Sequence, residues 1–330
     1  MMKNVPVLLI GGTGRSGTNV LKYVLSTHSQ IYSLPFESRF TIDPDGILPT
    51  YALLKDGWSP FVSEVAIKRM DNFLKRLSKR SIQDRISIYF ANAVKNFGLT
   101  GNIRAYKEWE LEKAFPNFKK HTSKLIKDLE LLEYKGVWAG RKGSLTAVAS
   151  NVVYRSNKNN VLSHIINEYF YNLYNDLLLN NGKALYVEDN TFNILSAHHY
   201  SKLLPGSFMV HMVRDPRDVV ASYIKQRWCP KDIEQASKYY IEIIERWLEI
   251  RRTLDSDFFT EIRLEDLCNN TEAVLRSLCN KLTIDFEDKM LEYNLNQSNT
   301  GRWKTEFSYT EKQKLNKYLD KYIKHYKYQP

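Results

Sequence analysis

Short unbroken apolar runs alternate along this chain with segments whose apolar positions recur every three or four residues. Val7 to Ile10 is the first run, within a strand read as Val5 to Gly11. A helical face follows at Val20, Leu21, Val24 and Leu25, which predicts a helix over Asn19 to Ser26. Ile31 to Leu34 reads as a second strand, closed by Pro35, Phe36 and Glu37. Further strands are expected at Ala184–Val187, Phe208–Val213 and Phe259–Ile262. Buried strands separated by helices imply an α/β fold, a largely parallel, doubly wound sheet.

Between residues 45 and 182 the helical period takes over. Ile82, Ile86, Tyr89, Phe90, Ala93, Val94 and Phe97 share one face, and Leu125, Leu129 and Leu132 share another. The strongest pattern is Val161 to Leu179, with Ile165, Ile166, Tyr169, Phe170, Leu173 and Leu177 on one side and Gly182 after its end. These aromatic residues are expected in the core. The expectation is a single domain over 1–330 in which 45–182 is a mainly helical insertion, placed where a substrate lid would lie. The tail, Glu311 to Tyr328, reads as an amphipathic helix. It turns Leu315, Leu319, Tyr322, Ile323 and Tyr326 inward and Lys314, Lys317, Lys321 and Lys324 outward.

The first strand ends in glycines. Gly11, Gly12 and Gly14 precede Ser16, Gly17 and Thr18, giving strand, glycine loop and helix N-terminus. Such a loop brings backbone N–H groups up to an anion, so this one is a phosphate-type cradle. Gly12 to Gly17 has the spacing of a nucleotide-triphosphate loop, but Thr18 follows Gly17 directly and the cation is Arg15, inside the loop. Gly12, Gly14 and Gly17 match a dinucleotide fingerprint by count alone, without its acidic residue after a second strand.

A second strand-to-helix junction, SFMVHMVRDPRDVVASY over Ser207–Tyr223, repeats the arrangement. Pro216 and Asp218 suit a helix's first turn. Arg214, at the strand's carboxyl end, and Ser222, two turns on, are placed to hold a second phosphate; the alternative is that Arg214 pairs with Asp215 or Asp218.

In these blocks the sequence resembles the sulfotransferases that use 3′-phosphoadenosine-5′-phosphosulfate (PAPS), nearest in motif style to the tyrosylprotein and bacterial enzymes. GGTGRSGTNVL at Gly11–Leu21 is similar to the loop that binds the 5′-phosphosulfate. This implies cofactor contacts from Gly14, Arg15, Ser16, Gly17, Thr18 and Asn19, with Arg15 also catalytic. VRDPRDVVASY resembles the 3′-phosphate site, which implies Arg214 and Ser222. IRLEDLCNNTEAVLRSLCNKLTIDF at Ile262–Phe286 is similar to the family's strand, acidic-acidic-Leu turn and helix. SNTGRWKTEFS at Ser298–Ser308 resembles the late basic loop that closes over the cofactor, which implies Arg302, Trp303 and Lys304. YVEDNTFN at Tyr186–Asn193 sits where relatives carry an E-K-T-P-like segment, but Asp189 and Asn190 depart from it.

Sulfuryl transfer by in-line displacement needs charge stabilised on the leaving phosphate and a base for the acceptor's proton. The segment PFESRF resembles the tyrosylprotein enzymes, where a Glu is the base and an Arg assists; here these are Glu37 and Arg39. Glu188, at the end of a strand, is an alternative base or an acceptor contact. His121, His164, His198 and His199 are the histidine alternatives, and His211, inside a buried strand, is expected to be structural. The acceptor stays open: a hydroxyl or amine of a small molecule, natural product, sugar or peptide. Trp138 with Arg141, Lys142 and Gly143 makes a basic glycine loop suited to an acidic acceptor; Trp58, Trp109 and Trp138 equally suit a core. An ATP-dependent kinase and a non-catalytic 3′-phosphonucleotide binder are the competing functions.

The formal net charge of +11 suits an anionic donor, and equally nucleic acid. The lysines are spread widely and no nucleic-acid module is recognised, so no nucleic-acid partner is expected. No metal-ligand spacing is found, so no metal is expected. Cys229, Cys268 and Cys279 form no C-x-x-C pair and fit reduced thiols in the cytoplasm. The N-terminus does not read as a signal peptide, and no stretch is long enough to span a membrane.

Overall fold

The computed structural model describes residues 1–79, 86, 110–137 and 149–329. These fall into two compact units.

One unit comprises Pro6–Glu37, Gly182–Ser201 and Gly206–Pro330. It holds strands β1 (Val7–Gly12) and β2 (Ile31–Ser33). The other unit contributes β3 (Glu130–Gly136) and β4 (Ala149–Tyr154), after which β5 (Leu185–Asp189), β6 (Phe208–Val213) and β7 (Phe259–Arg263) return to the first. The five strands of the first unit form one sheet in the order β2-β5-β1-β6-β7. Every neighbouring pair is parallel. The α/β, doubly wound reading of the sequence therefore holds. Because β1 is central and the chain leaves it to both sides, the crevice at its carboxyl end is a topological switch point.

Side chains alternate across this sheet. Leu8, Ile10, Val187, Val210 and Met212 meet Leu21, Val24 and Leu25 of the helix Thr18–Leu25, and Leu275 and Leu278 of the helix Thr271–Leu282. On the opposite face His211 packs on Trp247 of the helix Ile233–Arg251, with ring centroids 4.9 Å apart. His211 Nδ1 lies 2.9 Å from Glu261 Oε1. Burial alone would raise the Glu261 carboxyl, but His211, Trp247 and Arg251 hold it down at about 2. His211 is structural, as its place in the strand indicated. The tail helix runs Tyr309–His325 and buries Leu315, Leu319, Tyr322 and Ile323, opened by a capping box between Ser308 and Glu311.

The other unit comprises Met1–Val5, Ser38–Asn181 and Lys202–Pro205. Its helices include Ile47–Asp56, Pro60–Ser78, Phe118–Leu129 and Val161–Asn181. Phe40 is its centre, in edge contact with Phe115, Phe118 and Tyr169. Leu132 corrects the sequence reading. Leu125 and Leu129 are buried, but the helix ends at Leu129 and Leu132 is half-exposed on β3, paired antiparallel with β4. Of the helix expected over Ile82–Phe97 the structure describes Ile86 alone, helical and half-exposed; its other positions, Trp109, and the loop of Trp138, Arg141, Lys142 and Gly143 lie outside the described residues. Trp58 donates from Nε1 to the Tyr154 carbonyl at 3.1 Å and is 37% exposed, outside the core.

Candidate active site

The glycine loop joins β1 to the helix Thr18–Leu25 within the sheet unit. Its turn needs left-handed backbone: φ is +82° at Gly14, +59° at Arg15 and +98° at Gly17. At Gly17 a Cβ would stand 2.8 Å from Leu264 Cδ1, so both conformation and space demand glycine. The helix has Gly17 as its N-cap and no side-chain cap. Its first N–H groups therefore take no partner from a capping side chain. Ser16 is fully buried within the loop, and among the described residues its Oγ has no hydrogen-bond partner. A buried, unsatisfied hydroxyl beside a glycine cradle fits an anion. Thr18 is also buried, and Asn19 is exposed on the first turn.

Arg214 leaves the carboxyl end of β6, beside β1. Its Nη1 donates to the Arg15 carbonyl at 3.1 Å and its Nη2 to the Asn299 carbonyl at 2.6 Å. Arg15 Nε donates to Ser222 Oγ at 2.9 Å. The glycine loop, the helix Pro216–Tyr223 and the late loop thus converge on Arg214, Arg15 and Ser222. Arg214 lies 3.6 Å from Asp218, a loose pairing, and its Nε is buried without a partner among the described residues. Arg217, by contrast, is committed to structure. It holds Asp215 through Nε and Nη2 at 3.0 and 2.8 Å and stacks on Trp303 at 3.9 Å.

Asp218 fastens the late loop. Its carboxylate accepts from Gly301 N at 2.6 Å and Trp303 N at 2.9 Å. Burial pushes its carboxyl up, against the pull of those donors and Arg214. Arg302, next to the buried Trp303, hydrogen-bonds to Glu306, its Nη2 at 2.8 Å, and its charge acts on Arg214. Lys304 is exposed.

The profile described as the sulfotransferase family matches residues 6–288. The chain belongs to the sulfotransferase family. The fold agrees: the sulfotransferase domain from the Synechococcus PCC 7002 olefin synthase is 15% identical, with a TM-score of 0.50 over 97% of this chain and 96% of that one. The sulfotransferase domain from the curacin biosynthetic pathway is 16% identical, with a TM-score of 0.47 over 97% and 99%. At such identities the likeness concerns fold alone. No curated protein matches the chain by sequence.

In this sulfotransferase the expected base, Glu37, follows β2 and is half-buried. Thr191 Oγ1 donates to its Oε1 at 2.7 Å, and the Thr191 carbonyl accepts from Gly12 N at 2.8 Å. Thr191 therefore links the candidate base to the glycine loop. Sequence reasoning passed over it, although it lies in the weak block Tyr186–Asn193. Arg39 belongs to the helical unit, where it lies 3.6 Å from Asp43. Glu188, expected at the acceptor, is completely buried and accepts from Tyr186 at 2.6 Å and from Asn190. Its side chain supports β5 internally. Among the histidines, His121 lies 2.8 Å from Asp176 in the helical unit, His164 is exposed, and the His198 and His199 rings lie 3.9 Å apart at a tilt of 44°.

Lys22 carries no mark in the sequence, and Asp189 is marked there only as a departure from the family pattern. Lys22 Nζ lies 3.3 Å from Asp189 Oδ2, with both side chains buried. Burial chiefly raises the Asp189 carboxyl; Lys22 opposes this and Glu37 and Glu188 add to it, leaving it at about 6. A carboxyl raised above its usual 3.8 binds its proton more tightly when folded. Its stabilising contribution is complete below 3.8 and is lost as the pH rises through about 6. We expect the stability of the wild type relative to Asp189→Asn to fall by about 2–3 kcal/mol between pH 4 and 7. Urea unfolding across that range measures it, and a pH-independent difference contradicts it.

Among the described residues, no group of three or more His, Cys, Asp or Glu is placed to hold a metal ion, and no helix is long and apolar enough to cross a membrane.

Proposed function

We propose that this sulfotransferase moves a sulfuryl group from PAPS to a hydroxyl or amine of a small-molecule, sugar or peptide acceptor, by in-line displacement and without a metal. The observation that carries the reading is the convergence of Arg15, Arg214 and Ser222 at the glycine loop, with Ser16 Oγ and Arg214 Nε buried and, among the described residues, unpartnered. Such orphaned donors fit an anionic nucleotide. Gly14, Ser16, Gly17, Thr18 and Asn19 would hold the 5′ end, and Arg214, Ser222, Arg302, Trp303 and Lys304 the 3′-phosphate end. When bound, PAPS supplies an activated sulfuryl group that departs from an anionic phosphate.

The remaining chemistry belongs to the chain. Arg15 offers fixed positive charge where negative charge grows. Glu37, held by Thr191, takes the acceptor's proton. The family resemblance assigns Arg39 an assisting role toward the acceptor, and Glu188 acts only through the strand it supports. The unpaired, largely buried thiols fit a reducing, cytoplasmic setting.

Incubation with sulfur-labelled PAPS and a panel of acceptor extracts tests the reading. The expected result is a product heavier by one sulfate together with 3′-phosphoadenosine 5′-phosphate (PAP). A kinase would instead be stabilised against heat by ATP with magnesium and not by PAP. A non-catalytic binder would take up PAP and leave PAPS intact.

A further inference from the structure

Lysine is rarely buried without a reason. Lys22 occupies the last turn of the helix that begins at the glycine loop, and it is 2% exposed. Its ammonium lies 3.3 Å from Asp189 Oδ2 and 4.9 Å from the Tyr23 ring centroid. Among the described residues the Lys22 ammonium is the one polar partner of the Asp189 carboxylate, with no further donor beside it. A buried ion pair lacking such support adds little stability, because desolvation offsets its attraction. What distinguishes it is its position. Asp189 ends β5, two residues before the Thr191 that holds Glu37 at 2.7 Å. Three charged groups act on Asp189: Lys22 from the helix, Glu37 from the segment after β2, and Glu188 from β5 itself. Glu188 faces the other side of the sheet, with Tyr186. With Asp189 gone the buried ammonium loses its ion-pair partner, and Glu37, whose charge reaches Asp189, stands in the same field.

We propose that Lys22 and Asp189 are a positioning pair for the proton acceptor: Asp189 confines the Lys22 ammonium so that its charge does not weaken Glu37 as a base. The inference rests on the reading of Glu37 as the base. It assigns Asp189 an electrostatic role in turnover and none in nucleotide binding. It also accounts for the departure of this block from the family pattern at Asp189, since an anion there is what the buried Lys22 requires.

The test compares the wild type, Asp189→Asn, the double variant Lys22→Met/Asp189→Asn, and Glu37→Gln. Turnover is read as PAP released from PAPS in water with no added acceptor. Calorimetry with PAP counts folded, binding-competent protein. Asp189→Asn is expected to bind PAP as the wild type does and to lose at least about tenfold in kcat. The double variant, which carries neither charge, is expected to recover most of that loss. A purely structural pair would be rescued in the same way, so the pH–rate profile separates the two roles: the acidic limb is expected to move in Asp189→Asn and to return in the double variant, and an unmoved limb overturns the proposal. If Asp189→Asn alone does not fold, the double variant carries the test, and a folded double variant with turnover as low as Glu37→Gln overturns the proposal. Wild-type turnover in Asp189→Asn, with Glu37→Gln inactive, overturns it while sparing the base. Near-wild-type turnover in Glu37→Gln removes the base reading itself.

Discussion

Replacing Arg15 by alanine is expected to lower kcat by about a hundredfold or more while leaving nucleotide affinity within a few fold. The reason lies in where the charge sits. Arg15 is on the glycine loop with left-handed backbone, and its Nε is tied to Ser222 Oγ at 2.9 Å, so its guanidinium is held before any ligand arrives. A donor fixed in advance contributes most where negative charge develops, which is the leaving phosphate. Nucleotide binding has other sources: the loop's N–H groups, Ser16 and Arg214. Steady-state kinetics with varied PAPS separates the two effects. An Arg15→Ala enzyme with intact kcat and a raised KM for PAPS would make Arg15 a binding residue only.

Glu37→Gln is expected to cost about a hundred- to ten-thousandfold in turnover, the usual worth of a general base. Glutamine keeps the shape and still accepts the Thr191 hydrogen bond, so PAP affinity measured by calorimetry should stay close to wild type. The acidic limb of the pH–rate profile should disappear as well, because that limb reports the base's ionisation. The effect requires an acceptor that is protonated at the working pH. Near-full activity in Glu37→Gln, with an essential residue among His121, His164, His198 and His199, would move the base elsewhere.

Much of the fold was legible because parallel strands buried on both faces are written as continuous apolar runs. Phe208–Val213 is such a run, and the strand β6 has those bounds. The first helix begins at Thr18, one residue earlier than periodicity placed it, because Gly17 in left-handed conformation ends the loop there. The hairpin β3–β4 was not legible. Strand β3 is exposed along most of its length, so no alternation of apolar and polar residues marks it. The glycine loop and Arg214 stood out because tight turns and strand-end cations leave local signatures. Thr191 and Lys22 did not, and Asp218 reads from the sequence as a helix-start charge rather than as the fastening of the late loop. Each owes its role to a partner distant in sequence: Glu37 for Thr191, the late loop for Asp218 and Asp189 for Lys22. A lysine in a helix's last turn reads as a solvated charge, and only the packing shows it buried.

The central claim is that the crevice at the end of β1 and β6 takes a nucleotide carrying a 3′-phosphate. Calorimetry of the wild-type protein with PAP and with adenosine 5′-phosphate, which lacks that phosphate, tests it most directly. A charged, partly buried arginine contact contributes about 2–3 kcal/mol, so PAP should bind tens-fold or more tightly. Arg214→Ala should remove most of that preference. Equal affinity for the two nucleotides would contradict the account.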